Sequence, residues 1–279
     1  MNGFDLSTIT NAYVGSTPAS AIYLGSTLIW PNQPVNPYES QYFTIEITQA
    51  GNLYLKSSYA NGTQPTLISF DYSLNNGSWQ TVTEQIDNPG GLYGTIAYIG
   101  SFSVGDIIRI RHTGSFNNGE VVGRRFEGSA YFKVYGNIMS LLYSDSFIGK
   151  YSLISAYEFH NMFYDNTISY LTDCENLVLP ATSLTQNCYQ EMFRYAIITK
   201  APVLPAITLV ENCYGGMFYG CSNLNYVKCY ATNVTNPPAS LGNWLYNVAA
   251  TGTFYKDANT TYPTGTSGIP SGWTIENIQ

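Results

Sequence analysis

The stretch of sequence that decides the fold is LPATSLTQNCYQEMF, residues 179–193, which recurs 25 residues later as LPAITLVENCYGGMF, residues 204–218. Leucine, asparagine, cysteine, methionine and phenylalanine hold the same positions in both copies. A period of about 20–29 residues with such fixed positions is typical of leucine-rich solenoids, whose repeats stack on one another. The residues predicted to hold the repeats together are Leu179, Cys188, Met192, Phe193, Leu204, Cys213, Met217 and Phe218.

Weaker copies lie on both sides of this pair, at residues 157–163 and from Cys221 onward. Each unit is predicted to supply a short strand, followed by a short helix or 3-10 segment that holds the Cys-Tyr-x-x-Met-Phe group. The predicted strands are residues 177–179, 203–204 and 226–228. We expect Cys188 and Cys213 to stack between adjacent coils as small buried thiols. The repeats are placed at residues 141–235, with a C-terminal cap at 236–279, because a short solenoid needs capped ends.

Residues 40–140 are predicted to form a β-sandwich domain. Short runs rich in β-formers alternate with Gly/Asn turns, and Asn75-Asn76-Gly77 is a strong hairpin signal between two of them. The lysines and arginines of this domain are expected on the solvated face of alternating strands. The predicted strands are residues 42–47, 53–55, 69–74, 78–82, 104–111 and 129–135.

The first 31 residues carry a short internal echo. Tyr13-Val14-Gly15-Ser16-Thr17 is followed ten residues later by Tyr23-Leu24-Gly25-Ser26-Thr27, and the pattern runs on to Trp30. Two short apolar strands with Gly/Ser/Thr/Pro turns predict a hairpin, which is too small to bury a core of its own. We therefore expect residues 1–31 to pack on a neighbouring subunit or another protein. Residues 32–39 form a proline-rich linker, expected to be extended and semi-stiff.

These motifs resemble known families. The two repeat copies resemble BspA-like leucine-rich repeats, in the variant common in proteins of gut Bacteroidetes and their phages. Three C-terminal stretches are similar to the usual ending of that variant, and they lie at residues 226–232, 250–254 and 267–274. The front segment, Tyr13–Trp30, resembles a short module of virion proteins from Bacteroidetes phages, including crAss-like phages. This chain departs from the family at residues 194–198, and only residues 220–224 keep the usual Gly-Cys-x-x-Leu form.

The resemblance implies a virion appendage without catalytic residues, made in the host cytoplasm and located in the virion. It assigns Tyr13, Gly15, Tyr23, Leu24, Gly25 and Trp30 to anchoring and assembly. The expected partners are phage capsid or tail proteins at the N-terminus and a host-surface glycan or protein at the other end. We expect a homodimer or homotrimer, because virion projections usually follow such symmetry.

Composition and charge exclude nucleic acid and membranes as partners. Eleven lysines and arginines against eighteen acidic residues give a net charge of −7, too little positive charge to bind nucleic acid. An acidic surface gains nothing from an anionic membrane, and no apolar run is long enough for a transmembrane helix. The first residues show no secretory signal. The five cysteines are odd in number and match no zinc spacing, so no metal and no cofactor are expected.

A search for catalytic patterns yields none that stands out. The acidic residues show no short-range pairing of the kind that glycosidases need, and there is no G-x-S-x-G elbow, P-loop or dinucleotide fingerprint. His112 and His160, the two histidines, are expected to be structural or exposed. Carbohydrate binding stays open, because sugars stack on exposed aromatic rings. The aromatic residues near predicted loops or strand edges are Tyr59, Trp79, Tyr93, Tyr98 and Phe116.

Together these patterns predict a mainly β protein with an N-terminal anchor hairpin, a β-sandwich domain and a short leucine-rich-repeat solenoid with a C-terminal cap. The functional hypothesis is a non-enzymatic head or tail fibre that carries an adhesion region toward the host. The alternatives are a bacterial surface adhesin built from the same repeats, or a capsule polysaccharide depolymerase.

Overall fold

In the computed structural model, side chains are described for residues 36–57, 66–87, 94–116, 123–164, 170–234 and 240–278, and the backbone also for residue 58. Before residue 36 the description covers the backbone of four short strands. The strands are β1 (Tyr13–Val14), β2 (Thr17–Pro18), β3 (Ile22–Leu24), β4 (Thr27–Trp30), β5 (Phe43–Gln49), β6 (Gly51–Ser58), β7 (Ser69–Leu74), β8 (Gln80–Thr83), β9 (Gln85–Asp87), β10 (Gly94–Phe102), β11 (Ile107–Arg111), β12 (Arg125–Gly128), β13 (Tyr131–Asn137), β14 (Leu171–Asp173), β15 (Leu177–Val178), β16 (Tyr226–Lys228), β17 (Gly252–Lys256) and β18 (Trp273–Asn277). Helical structure in the described part is a four-residue helix, α1 (Ser140–Tyr143), and a 3-10 turn at Ser144–Ser146. The protein is therefore mainly β, as predicted.

The two echoes of the front segment each form a strand pair. β1 pairs antiparallel with β2, and β3 pairs antiparallel with β4. The sequence predicts one strand in each echo, whereas the backbone folds back within each of them. The side chains of the six predicted anchoring residues, and all of Gly15 and Gly25, lie outside the described residues.

The next hundred residues, together with β14, form two largely antiparallel sheets around one core. One sheet has the order β12-β6-β10-β9, and the other β14-β13-β5-β11-β7-β8. Alternation explains the burial along β5, where Phe43, Ile45 and Ile47 point inward. The ring of Phe43 stacks on that of Phe126 in the opposite sheet, with centroids 5.7 Å apart. We call residues 36–137 the sheet half and residues 138–278 the repeat half.

The predicted hairpin between β7 and β8 is confirmed, with Thr83 paired to Ser69 at its open end. Asn75 and Asn76 have φ angles of 49° and 61°, in the left-handed region that the tightest hairpin turns require. The amide of Gly77 donates to the carbonyl of Leu74 at 2.8 Å and closes the turn. Asparagine adopts this conformation more readily than most residues, which is why the pattern identifies the turn correctly.

One arginine departs from the expectation that basic side chains lie in solvent. Arg124 is fully buried in the sheet half and forms a bidentate ion pair with Glu84, at 2.7 and 2.9 Å. Its remaining donors reach the carbonyls of Phe116 and Thr66. Glu84 also accepts a hydrogen bond from Thr95 at 2.9 Å. Burial is tolerated because every charged group in this pair has protein partners in place of water.

The two halves share a sheet and a core. β13 pairs antiparallel with β5 on one edge and parallel with β14 and β15 on the other. The ring of Phe163, from the repeat half, lies 6.3 Å from Phe43 and 6.1 Å from Phe126. The sheet therefore continues across the predicted boundary at residue 140.

Parallel pairing continues through the repeat half. β16, β17 and β18 form a three-stranded parallel sheet. β15 and β16 match the predicted strands at 177–179 and 226–228. The predicted strand at 203–204 is wrong: the structure has only an isolated parallel bridge there, between Leu204 and Cys229. Pro205 directly follows Leu204 and has no amide hydrogen to continue a ladder.

Candidate binding surface

Four turn segments stack along the repeat half, at residues 156–163, 186–195, 211–220 and 240–247. Their backbone amides alternate between two kinds of acceptor. Glu191 N donates to Gly215 O of the next segment at 2.9 Å, whereas Gln190 N donates to Asn187 O, three residues back in its own segment, at 3.2 Å. Each segment is therefore held to the next by every second amide.

The prediction of a short helix or 3-10 segment at these positions is wrong. In a helix the amides donate to carbonyls of the same helix, but here half of them donate to carbonyls of the neighbouring segment. The chain achieves this by adopting a left-handed φ at every fourth residue. These positions are Tyr157, Asn161, Asn187, Glu191, Tyr195, Asn212, Gly216, Gly220, Asn243 and Asn247. Asparagine and glycine occupy most of them, which fits their tolerance of this conformation.

The repeated residues form columns inside the stack. The rings of Phe163, Phe193 and Phe218 lie face to face, with centroids 5.5 and 5.4 Å apart and planes tilted by only 16° and 4°. Tyr189 and Tyr214 form part of a second column, 6.1 Å apart. Leu179, Met192, Leu204 and Met217 are buried in the same core. A fixed backbone spacing thus places identical side chains above one another.

Cys188 and Cys213 are buried free thiols in this stack. Burial raises the pKa of Cys213 to about 12 and that of Cys188 well above its ordinary value. Both thiols stay protonated at physiological pH and are poor nucleophiles, since the thiolate is the reactive form. They act as small apolar groups in the core.

A row of tyrosines runs along the outside of the same stack. It consists of Tyr164, Tyr195, Tyr219 and Tyr246, which we call the tyrosine row. Successive ring centroids lie 6.1, 5.7 and 4.7 Å apart. Tyr195 and Tyr246 are 36% and 42% exposed. Tyr164 and Tyr219 are half-buried.

Arg194 lies within the row and joins three of its segments. Its guanidinium carbon is 5.4 Å from the ring centroid of Tyr164, 5.1 Å from Tyr195 and 4.6 Å from Tyr219. Glu191 accepts a hydrogen bond from Arg194 Nη1 at 2.7 Å, which orients the guanidinium over the rings. Cation–π contacts of this kind contribute about 0.5–1 kcal/mol each at exposed sites. Arg194 thereby links the rings of three neighbouring segments.

The sequence did not point to the tyrosine row. Its members are separated by unequal intervals of 31, 24 and 27 residues, so they do not register as a repeat. A usable signal was available, because each tyrosine follows a buried aromatic residue by one or two positions. The stretch at residues 194–198 brings Arg194 and Tyr195 into the row.

Of the aromatic residues proposed for sugar stacking, Phe116 is a wrong prediction because it is fully buried. Trp79 is half-buried, and its ring is covered by Arg111 at 4.2 Å and Arg109 at 5.4 Å. Tyr98 is 51% exposed, but its hydroxyl is bonded to Ser101. Tyr59 and Tyr93 lie outside the described residues.

Both histidines are buried. Burial lowers the pKa of His160 to about 4, and burial also lowers the pKa of His112. His112 Nδ1 is hydrogen-bonded to the carbonyl oxygen of Leu141 at 3.0 Å. Each ring is neutral at physiological pH and packs as part of the core.

Within the described ranges, no group of three histidine, cysteine or acidic side chains is arranged to hold a metal ion. None of the helices in the described part is long and apolar enough to cross a membrane. Comparisons with protein-family models, with curated proteins and with solved structures find no match. No relative therefore assigns a partner to the tyrosine row.

Proposed function

We propose that this chain is a non-enzymatic structural protein of a phage virion, a head or tail fibre or similar appendage. Residues 1–31 would anchor it to capsid or tail proteins, and residues 32–39 would act as a spacer. In this proposal residues 40–140 are a β-sandwich, residues 141–235 a leucine-rich-repeat solenoid and the remainder its C-terminal cap. The β-rich part would project toward the host surface and adhere there.

The tyrosine row is the observation that carries the adhesion part of this proposal. Tyrosine and arginine dominate the energetically important positions of binding surfaces, because they combine large contact area with polar groups. Arg194 and the hydrogen-bonded turn segments hold these side chains in place before any partner arrives. Pre-organised side chains lose less conformational entropy on binding.

Weak contacts suffice if the appendage is present in several copies. We infer a homodimer or homotrimer, because the short strand pairs of the front segment need a partner surface. Linked copies convert later contacts into intramolecular ones and raise the overall affinity by orders of magnitude. The partner at the host surface would be a glycan or a protein.

Immunogold electron microscopy tests this proposal. Antibodies against the full chain would be applied to phage particles purified from lysates of gut Bacteroidetes, and in parallel to uninfected cells. Gold on heads or tails is the expected result. Gold confined to the surface of uninfected cells would favour the bacterial adhesin instead. A fall in capsule-polysaccharide viscosity on incubation with the pure protein would overturn the non-enzymatic assignment.

A further inference from the structure

A small polar pocket opens at the edge of the larger sheet, where β13 lies between β5 and β14. Its volume is about 290 Å³, at the lower limit of the roughly 300–1,000 Å³ typical of small-molecule sites. It therefore suits a ligand of few atoms. The side chains that matter here are Tyr38, Glu46, Lys133, Tyr135, Asp173 and Asn176. We call it the cross-strand pocket.

Three charged side chains cross the pocket in one row. Lys133 on β13 is the register partner of Glu46 on β5 and of Asp173 on β14. Lys133 Nζ lies 3.0 Å from Glu46 Oε1, and neither side chain is fully buried. Asp173 Oδ1 accepts the amide hydrogen of Glu175 at 2.9 Å, which fixes the orientation of the carboxylate. In the described part of the chain, no protein group donates to the other oxygen of Asp173.

Two tyrosines lie beside this charged row. Tyr135 lies two residues after Lys133 on the same face of β13, and its ring contacts that of Tyr38 edge to face, with centroids 5.5 Å apart. Burial raises the pKa of Tyr135, as do the neighbouring charge of Glu46 and Tyr38. Its hydroxyl therefore stays protonated and available as a donor. The pocket combines aromatic surface with fixed polar groups.

The charges narrow the class of ligand. Two carboxylates beside one ammonium group repel phosphate, sulfate and acidic sugars. The ammonium group of Lys133 is already paired with Glu46, so a metal ion would have to displace it. A neutral polyol fits best, because its hydroxyls donate to carboxylates, accept from an ammonium group and leave C–H groups to lie on a tyrosine ring.

We propose that the cross-strand pocket binds one neutral saccharide unit of a glycan. This inference rests on the proposed adhesive function, for which it names the ligand class. Asp173 and Glu46 would accept hydrogen bonds from neighbouring hydroxyls, Lys133 and Asn176 would bond to the same or adjacent oxygens, and Tyr135 would supply the apolar contact.

A second concavity on the smaller sheet provides a matched control. It has a similar composition, with Asn52, Tyr54, Lys56 and Glu127 among its lining residues. There Glu127 is paired with Arg125, and Asn52 Oδ1 accepts a hydrogen bond from Ser101 at 2.6 Å. We therefore expect no sugar binding at this position.

The test uses the full chain and saturation-transfer NMR with the methyl glycosides of glucose, galactose, mannose and glucuronic acid, each at millimolar concentration. The expected result is binding of at least one neutral glycoside. Asp173→Asn keeps a side-chain oxygen to accept the amide hydrogen of Glu175 but removes the charge that strengthens the hydrogen bond to the sugar. It should raise the dissociation constant about tenfold. Tyr135→Leu should weaken binding as well. Glu127→Gln in the second concavity should change nothing.

Three outcomes would overturn the inference. These are no binding of any neutral glycoside, tighter binding of the glucuronide than of the glucoside, and equal losses from Asp173→Asn and Glu127→Gln. Failure here is distinguishable from failure of the proposed function. If virions carry gold but no glycoside binds, the sugar-binding proposal alone is refuted. If a glycoside binds but gold is found only on uninfected cells, the virion assignment alone is refuted.

Discussion

The sheet half and the repeat half form the hydrogen bonds of their backbone amides and carbonyls in different ways. In the sheet half, strands bond to neighbours that are often distant in sequence, as where β13 pairs with β5. In the repeat half, every second amide of a turn segment reaches the next segment, about 24–29 residues further on, and the rest close turns locally. The repeat half is thus built from nearest-neighbour contacts, whereas the sheet half depends on long-range ones.

Their interiors differ as well. The sheet half encloses a charged pair, Arg124 with Glu84, whereas the described columns of the repeat half are aromatic and sulfur-containing. The buried carboxylate of the repeat half, Glu158, accepts hydrogen bonds from Ser115, Ser155 and the amide of Phe116. Buried charges are costly to leave without a partner, and stacked rings lose contacts gradually. Among single replacements of a polar or charged residue, we therefore expect the largest loss of stability in the sheet half.

The largest expected effect comes from Arg124→Met. The substitution leaves Glu84 buried without its counter-ion, so the free energy of unfolding should fall by about 3–5 kcal/mol. Urea unfolding followed by circular dichroism measures the loss. Because β13 joins both halves, tryptophan fluorescence should report the same transition, with Trp79 in one half and Trp244 in the other. Two separate transitions would contradict the shared core.

The double variant Arg124→Met/Glu84→Met is the control for this prediction. Replacing both members of a buried ion pair by apolar side chains of similar volume is often neutral or stabilising. The double variant should therefore recover most of the stability that the single variant loses. If it is as unstable as the single variant, shape rather than charge explains the effect.

A second, smaller effect concerns pH in the repeat half. Burial lowers the pKa of His160 to about 4, against about 6.5 in the unfolded chain. Because the pKa is lower in the folded state, the unfolded chain takes up the proton at a higher pH than the folded chain does as the pH falls. Stability is therefore unaffected above pH 6.5 and falls as the pH drops toward 4, by up to about 3 kcal/mol. Urea midpoints measured between pH 7 and pH 4 should show this decline.

His160→Gln removes the titrating group and should flatten that part of the profile. His112, whose pKa burial also lowers, would account for a remaining slope in the same direction. An unchanged profile in His160→Gln would mean that this ring is not responsible for the decline.

A third prediction concerns the left-handed turn positions. Asn212 has a φ of 52°, and Asn212→Ala should cost about 1–2 kcal/mol because a Cβ without a local hydrogen-bonding group disfavours this region. Asn212→Gly should be close to neutral, since glycine adopts that φ freely. Equal losses in both variants would show that the asparagine side chain, and not the backbone angle, matters at this position. Thermal unfolding compares the pair.

Much of the sheet half could be predicted from sequence, for a local reason. Alternation along 43–49 and the Asn75-Asn76-Gly77 turn both act within a few residues, and the strands predicted at 42–47, 69–74 and 78–82 overlap β5, β7 and β8. β9, β10 and β12 were not predicted. The turn segments could not be predicted in the same way. Their conformation depends on acceptors in the next segment, so a local pattern suggested a helix where the chain forms turns.

The two candidate binding features were missed for the same reason. Tyr38, Lys133 and Asp173 are far apart in sequence, and only the order β5-β13-β14 brings them to one pocket. The tyrosine row arises from segments of unequal length whose rings align only after stacking. The burial of Arg124 was missed for the same reason, because its partner, the carboxylate of Glu84, lies forty residues away in the sequence.

The smallest expected effect on stability separates folding from adhesion. Arg194→Lys keeps the charge but removes the planar guanidinium that lies over the rings of Tyr164 and Tyr219, so stability should fall by only about 0.5–1 kcal/mol. Binding of the fluorescently labelled chain to gut Bacteroidetes cells should fall more clearly, because the row loses its fixed geometry. Arg125→Lys, at an ion pair of the sheet half, is the matched control and should leave cell binding unchanged. If both variants bind as the original chain does, the tyrosine row serves only to stack the repeats, and adhesion must be sought elsewhere on the molecule.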